Sequence, residues 1–180
     1  MYFSATQNAF ADDFDYKGSL GPQYWSKVYQ QCSGKYQSPI NINDHDVQEV
    51  EFWRLGTTNF DEYPLSGELH NNGHTVVVRL IYEEEVPIIS GGPITDTADF
   101  YRMSQFHFHW GETNAEGSED KINNITFPAE LHIVFRNNKY SNFTEAMSNS
   151  DGIMVLAFFF EVYTLITTNV NYNFINILSY

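Results

Sequence analysis

Three histidines stand in two apolar stretches of similar pattern. His107 and His109 lie one residue apart in QFHFHWG (105–111), and His132 lies in AELHIVF (129–135). Alternate residues of a β-strand point to the same face, so His107 and His109 project together. Two imidazoles on a buried face are unfavourable unless their ring nitrogens find partners. A divalent metal ion would satisfy both rings, and His132 on a neighbouring strand would add a third nitrogen.

Three histidines with one open coordination position are typical of catalytic zinc. The alternative is three histidines that are satisfied by other groups or face solvent, and the residues alone leave both interpretations open. The neighbouring residues favour a metal, because metal-bound histidines usually donate their second N–H to a carboxylate or carbonyl. Gln105 and Glu130 share the faces of the histidines and could accept these bonds. A solvated Glu130 is disfavoured by its apolar neighbours, and Val134 on the same face would form an apolar wall.

The elements that would carry these residues read as short strands. Apolar alternations bounded by Gly, Asn and Pro indicate a mainly antiparallel β domain, and they fall at 75–82, 102–110, 130–135 and 153–162. Helical signals are scarce. Residues 142–149 could form one short helix, with Asn142 as N-cap and Glu145 three residues later. Residues 170–180 are expected to form a second helix.

Composition narrows the class of protein. A chain of 180 residues with 42% hydrophobic residues is long enough for one domain with a core. Nine Lys and Arg against 23 Asp and Glu give a net charge of -14, which argues against a nucleic-acid partner and against anionic membrane surfaces. No apolar run is long enough to span a bilayer.

Three features favour an extracellular protein. The AFA before Asp12 has the form of a signal-peptide cleavage site, although the N-terminus is not a complete signal peptide. Asn124 and Asn142 begin N-x-[ST] triplets, which are glycosylation acceptors in secreted proteins. Cys32 is the only cysteine. It is either a small buried residue or half of a disulfide whose partner lies outside this chain.

Taken together, the motifs resemble those of the α-class carbonic anhydrases, in their order and at close to their spacing. The matching stretches are YWSKVY with QSPINI (24–42), NNGH (71–74), GGPI (91–94), QFHFHWG, GSE (117–119), AELHIVF, NNKY (137–140) and DGIMVLAFFFEV (151–162). The resemblance begins near Tyr16. It implies an N-terminal extension at 1–15 and the N-terminal portion of one domain at 16–180. The implied fold is a central twisted, mostly antiparallel sheet with a few short peripheral helices.

The resemblance also implies a function and the residues that perform it. The function is reversible hydration of carbon dioxide to bicarbonate and a proton, with zinc lowering the pKa of its bound water to about 7. Zinc would be held by His107, His109 and His132. His74 matches the family's proton shuttle, Tyr16 a residue of its hydrogen-bond network, and Glu119 the carboxylate that orients a threonine. Gln105 and Glu130 match the hydrogen-bond partners of the first and third ligands. Val134 and Val155 match the apolar substrate pocket. His74 has the alternative of being an ordinary turn histidine.

The chain departs from the family pattern in its C-terminal part. No LTTPP-like segment is found, since LITTNV at 165–170 lacks the prolines, so the threonine partner of Glu119 and the expected partner of Cys32 are not visible. Asp120 stands where the family commonly has histidine. These departures predict a C-terminally incomplete domain, with weak zinc binding and little activity. A non-catalytic carbonic-anhydrase-like binding module is the alternative function. A plain β domain with chance histidines would not explain the ordered matches.

Overall fold

The computed structural model describes residues 2–6, 14–94, 98–162 and 176–179, the first and last of these as backbone strands only. The predicted mainly β fold is confirmed, with an antiparallel sheet that curls and a few short helices. The helices are α1 (Pro22–Val28) and α2 (Phe143–Met147), and two 3-10 turns lie at Gly18–Leu20 and Gln30–Ser33.

The strands are short except for three long ones that form the centre of the sheet. In chain order they are β1 (Tyr2–Thr6), β2 (Asn41–Ile42), β3 (Trp53–Thr58), β4 (Ser66–Asn71), β5 (Val76–Ile81), β6 (Ile88–Gly92), β7 (Tyr101–Trp110), β8 (Lys121–Ile122), β9 (Ala129–Asn137), β10 (Ile153–Phe160) and β11 (Asn176–Ser179).

The order across the main sheet is β1-β4-β5-β7-β9-β10-β11. Strand β6 pairs with the first half of β7 and carries β3 on its other side, while β5 pairs with the second half of β7. These pairs are antiparallel except β1 with β4. Strands β2 and β8 form a separate parallel pair. Strand β7 is therefore flanked along its length, as expected for a strand that carries buried polar side chains.

A β-bulge interrupts the register between β7 and β9 at Met103 and Gln105. On one side of it Met103 is opposite Phe135, and on the other side Gln105 is opposite Val134. Cross-strand partners share a face of the sheet, so Met103 lies on the face of Phe135. Gln105 lies on the opposite face, because residues 134 and 135 alternate. The extra residue, Ser104, thus changes which face the odd-numbered residues of β7 occupy.

The hydrophobic core lies on the face of the sheet that holds Met103. It is made of buried residues from four strands and the loop after β6, namely Ile89, Ile94, Tyr101, Phe135, Met154 and Leu156. A second, smaller cluster on the opposite face joins Ala157 and Phe159 of β10 to residues of the β2–β8 pair and to Phe127. The rings of Phe127 and Phe159 stack 4.2 Å apart. Strand β10 therefore contributes side chains to a hydrophobic cluster on each face of the sheet.

The helix predicted at 142–149 is confirmed, although it ends earlier. Asn142 is the N-cap, and its side chain accepts a hydrogen bond from Glu145 N at 2.9 Å. Glu145 Oε2 accepts a bond from Ser141 N, also at 2.9 Å. These bonds satisfy donors that an isolated helix end leaves unpaired.

The helix predicted at 170–180 is wrong where the structure describes this segment. Residues 176–179 form β11 and pair antiparallel with β10, from Phe158↔Asn176 to Val155↔Ser179. The exposed edge of β10 offers a row of unpaired backbone groups, and pairing with it outweighs a weak local helical signal. Residues 171–175 and 180, and the threonines of 165–170, lie outside the described residues. No helix in the described part of the chain is long and apolar enough to cross a membrane.

Candidate metal centre

The register between β7 and β9 brings the three histidines together. His107 is directly opposite His132, and His109 is opposite Glu130. The ring centroids are 5.0 Å apart for His107 and His109, 5.2 Å for His107 and His132, and 4.6 Å for His109 and His132. One ring nitrogen from each histidine lies within 4.8 Å of the other two. The predicted group of three therefore forms, on the face opposite the main core.

Each histidine has a polar neighbour on one ring nitrogen. His107 Nδ1 is 2.9 Å from Gln105 Oε1, and His132 Nε2 is 2.8 Å from Glu130 Oε1. His109 Nδ1 is 3.3 Å from Glu119 Oε1. If each of these nitrogens carries the proton, the other nitrogen of every ring presents a lone pair. The arrangement is that of metal-ligating histidines held by outer hydrogen bonds.

The free nitrogens supply the test of whether a metal fits. His109 Nε2 is buried and has no hydrogen-bond partner in the described part of the chain. A buried polar atom without a partner is destabilising, and a divalent cation held with the other two histidines would give it one. Three neutral nitrogen donors suit Zn²⁺ among the common metals. The residues present therefore fit a divalent metal of this kind.

The pKa values of the histidines follow from burial and from their mutual repulsion. Burial and the nearby His132 lower the pKa of His107 to about 4. Burial and the other two histidines lower the pKa of His109 to about 3. Burial also acts to lower the pKa of His132, but its hydrogen bond to Glu130 outweighs this and raises the pKa. Low pKa values keep His107 and His109 neutral at physiological pH, which metal binding requires.

Glu130 is fully buried, with 0% of its surface exposed, and its carboxylate is surrounded by donors. Oε1 faces His132, and Oε2 accepts bonds of 2.9 Å from the backbone N–H groups of Glu119 and Asp120. The solvated alternative for Glu130 is therefore wrong. Burial acts to raise its pKa, but the bonds from His132 and from the backbone outweigh burial and lower it.

Glu119 lies between the metal centre and the N-terminal segment. Its Oε1 accepts a bond of 3.0 Å from the hydroxyl of Tyr16 and also faces His109. Burial, followed by the charge of Glu119, raises the pKa of Tyr16, so the hydroxyl remains a donor. Burial also raises the pKa of Glu119, against the opposing effect of the Tyr16 bond. The sequence left Glu119 without a visible partner, whereas the structure gives it two.

His74 is held in the turn between β4 and β5. Asn72 Oδ1 accepts bonds from His74 N and Thr75 N at 3.0 and 2.8 Å, and Gly73 has a φ of +91°. The imidazole stacks on Phe14 with centroids 4.0 Å apart, and its Nε2 is buried without a hydrogen-bond partner among the described residues. The turn alone does not require that the ring stack on Phe14 or that its Nε2 be buried.

A cavity of about 670 Å³ connects these groups. Its walls come from the N-terminal segment, the β4–β5 turn, the end of β7 and the loop after it, and they include Tyr16, Trp25, His74, His109 and Glu119. His109 of the metal centre and His74 therefore line the same cavity. Water in that space could link them.

Val134 and Val155 are cross-strand partners in β9 and β10. Val134 is buried and Val155 is half-buried. Val134 is also opposite Gln105, on the face that carries the histidines. The two valines therefore form an apolar patch next to the metal centre.

Sequence reasoning missed three contacts of this centre. These are the approach of Glu119 to His109, the hydrogen bond from Asp120 N to Glu130, and the stacking of Phe14 on His74. Each depends on how a loop or the N-terminal segment folds back over the sheet. Strand periodicity carries no information about such contacts. For the contacts of Glu119 and Asp120, the one signal in the sequence was that two acidic residues directly follow Gly117 and Ser118.

The acid sensitivity of the metal-free protein is a testable consequence of the histidine pKa values. The unfolded chain takes up protons on His107 and His109 below about pH 6.5, whereas the folded chain does so only near pH 4 and 3. Stability contributed by these neutral rings is therefore complete above pH 6.5 and falls as the pH drops. We expect His107→Gln/His109→Gln to lose less stability than the parent chain between about pH 7.5 and pH 5. Urea unfolding with a chelator present would measure this. Equal losses for both proteins would contradict the assignment.

Comparison with known proteins agrees with the geometry of this centre. A statistical description of the eukaryotic-type carbonic anhydrase family matches residues 20–180. The chain is also similar to carbonic anhydrase 1 of Monodelphis domestica, with 33% identity over 150 residues, 83% of this chain and 56% of that protein. The chain thus spans little more than half the length of this relative. Because the family match covers most of the chain, the protein belongs to the eukaryotic-type carbonic anhydrase family.

Proposed function

We propose that the protein takes part in the zinc-dependent, reversible hydration of carbon dioxide to bicarbonate and a proton. The observation that carries the proposal is the set of three histidine nitrogens within 4.8 Å of one another. His107, His109 and His132 would hold Zn²⁺, with Gln105, Glu119 and Glu130 next to their other nitrogens. The family match supports this chemistry in general terms.

Zinc, when bound, supplies a Lewis acid that makes a water molecule acidic near neutral pH. The chain's own residues would do the rest. Val134 and Val155 offer apolar surface beside the centre, suited to a small, uncharged substrate such as carbon dioxide. Glu130 and Gln105 fix the orientation of His132 and His107 by accepting their N–H groups.

Removal of the proton is the second task, and His74 is our candidate for it. It shares a cavity with His109 and Glu119 but stands apart from the three-histidine group. A histidine in such a place can accept a proton through water and pass it to solvent. The Tyr16–Glu119 bond would order the hydrogen bonds at the inner end of that cavity.

The proposal is tested by measuring zinc and activity on the same preparation of the chain. We expect a zinc titration of the chain to saturate at one ion per chain, with the weak binding and slow turnover that the departures from the family pattern predict. Carbon dioxide hydration should exceed the uncatalysed rate and disappear with a chelator. A chain that binds no zinc in the titration would contradict the proposal. Bound zinc without hydration would favour a non-catalytic binding module, although the complete histidine set supports chemistry.

We also propose an extracellular location, with residues 1–15 as an extension and 16–180 as part of one domain. Asn124 and Asn142 of the two N-x-[ST] triplets are exposed, so glycans could attach there. Cys32 is half-buried and would be half of a disulfide to a cysteine outside this chain. Expression in a secretory host, with glycosidase treatment of the product, would test the location.

A further inference from the structure

The hydroxyl of Thr75 joins the turn between β4 and β5 to strand β7. Thr75 Oγ1 donates a hydrogen bond of 2.5 Å to Phe108 O. Thr75 directly follows His74 in the chain, and Phe108 directly precedes His109. His74 and His109 line the same cavity. This hydrogen bond therefore connects the neighbour of the candidate proton carrier with the neighbour of a metal-centre histidine.

The bond lies where the backbone pairing of β5 with β7 stops. The last pair toward the turn is Val77↔His107, and the bond from Thr75 reaches the next residue along β7. The contact is half-buried, and a carbonyl that loses its donor in such a place is destabilising. A side-chain hydroxyl thus replaces the backbone donors of the ladder at the point where the turn begins. Thr75 therefore holds the turn against the part of β7 that carries His107 and His109.

The turn itself is held by bonds among its own residues. Asn72 N donates to Thr75 O at 3.2 Å, and Asn72 Oδ1 accepts bonds from His74 N and Thr75 N. Asn71 Oδ1 accepts a bond of 2.9 Å from Gly73 N. Because these bonds lie within the turn, they fix its shape but not its distance from β7. A displacement of Thr75 away from β7 would therefore be passed on to His74.

We propose that Thr75 is a positioning residue that sets the distance between His74 and the metal centre. Proton transfer through water depends on the separation of the donor and the acceptor, and a displacement of about 1 Å can lower a rate about 100-fold. His74 keeps its distance only while the turn stays against β7. The part of this inference that concerns the metal centre rests on the proposed function, whereas the link between the turn and β7 does not.

Thr75→Val and Thr75→Ser separate the hydroxyl from the rest of the side chain. Valine keeps the branched shape of threonine but removes the donor, whereas serine keeps the donor and loses a methyl group. We expect the link to β7 to be lost in Thr75→Val and retained in Thr75→Ser. Thr58→Val is the matched control, since Thr58 is exposed in β3 and is not one of the residues that line the cavity.

Amide hydrogen exchange of the metal-free chain measures the link without zinc. Loss of the bond would let the turn open more often, so the amides of His74 and Thr75 should exchange about fivefold or more faster in Thr75→Val, the value of one hydrogen bond. Thr75→Ser and Thr58→Val should match the parent chain. Equal rates in the parent and in Thr75→Val would overturn the proposal. Faster exchange of these amides in Thr58→Val would indicate general loosening and would overturn it as well.

Relaxation of the His74 ring protons by Co²⁺ measures the distance itself. Co²⁺ is a paramagnetic divalent ion that can take the place of Zn²⁺ on three imidazoles, and its effect on nearby protons falls with the sixth power of the distance. A displacement of about 1 Å, which is enough to impair catalysis, would lower this relaxation enhancement by about a third or more. We expect such a fall in Thr75→Val, and an enhancement close to that of the parent chain in Thr75→Ser.

The two variants together decide whether the hydroxyl positions His74. Equal enhancement in the parent and in Thr75→Val would overturn the proposal, because His74 would then keep its place without the bond. Equal losses in both variants would also overturn it, since the donor would not be the cause. If Thr75→Val does not fold, faster exchange or a reduced enhancement in Thr75→Ser still contradicts the proposal. A chain that binds neither Co²⁺ nor Zn²⁺ would contradict the proposed function alone, while the exchange rates would still test the link.

Discussion

Replacing His109 with alanine is expected to weaken zinc binding by more than about 100-fold, since even an outer partner of a ligand is worth about 10- to 100-fold. The ring supplies the buried Nε2, which has no hydrogen-bond partner in the described part of the chain. Its loss would leave two ligands where three converge. Competition against a chromophoric chelator would measure the change, with hydration activity falling in parallel.

The control for this variant is His45→Ala. His45 lies in the exposed turn after β2 and outside the three-histidine group. We expect its removal to leave zinc affinity unchanged, so that a general effect of losing a histidine is separated from loss of a ligand. Zinc binding by His109→Ala at the level of His45→Ala would show that the three histidines do not act together.

Replacing Gly117 with alanine is expected to destabilise the fold by more than about 4 kcal/mol, a range reached only by severe mechanisms. A Cβ at this position would lie 1.8 Å from Pro128 O and 2.8 Å from Phe127 O. These are backbone atoms of the two residues directly before β9, which cannot move without shifting the strand. Gly117 N and Ser118 N also both donate to Phe127 O, at 3.0 and 2.8 Å. The close approach fixes the segment that carries Glu119 and Asp120.

Gly18→Ala is the comparison that separates lack of space from loss of backbone freedom. Gly18 has a φ of +71°, and a Cβ there would meet no atom within 4 Å. Its replacement should cost only the left-handed strain of about 1–2 kcal/mol. Urea unfolding of both variants would measure the difference. A Gly117→Ala variant no less stable than Gly18→Ala would show that β9 can yield at this point.

The strand pattern of the sequence predicted the centre of the sheet and the three-histidine group. This succeeded because β7 and β9 are long and alternate strictly near the histidines, so each face could be assigned from the sequence alone. The same alternation gave Gln105 and Glu130 as candidate partners of the histidines, and the family resemblance assigned them to His107 and His132. Their hydrogen bonds at 2.9 and 2.8 Å agree with that prediction.

The contacts that come from loops could not be predicted in this way. Glu119 and Asp120 reach the centre because the loop before β9 folds back against β9, and the spacing of residues does not encode that path. Residues 176–179 fall in the helix expected at 170–180 but form a strand. Their strand pairing depends on the free edge of β10, a property of the sheet rather than of the segment.

The bulge at Ser104 reverses the face of the sheet on which the odd-numbered residues of β7 lie. Before it, the odd-numbered Tyr101 and Met103 are core residues; after it, the odd-numbered His107 and His109 belong to the metal centre. If Ser104 took part in the regular alternation and no bulge formed, both sets would lie on one face, placing either imidazoles in the core or a tyrosine and a methionine in the centre. Transferring the three histidines to another sheet would therefore require that the alternation of faces be counted from Gln105. A sequence alignment to a regular strand that allows no gap within β7 would assign one half of the strand to the wrong face.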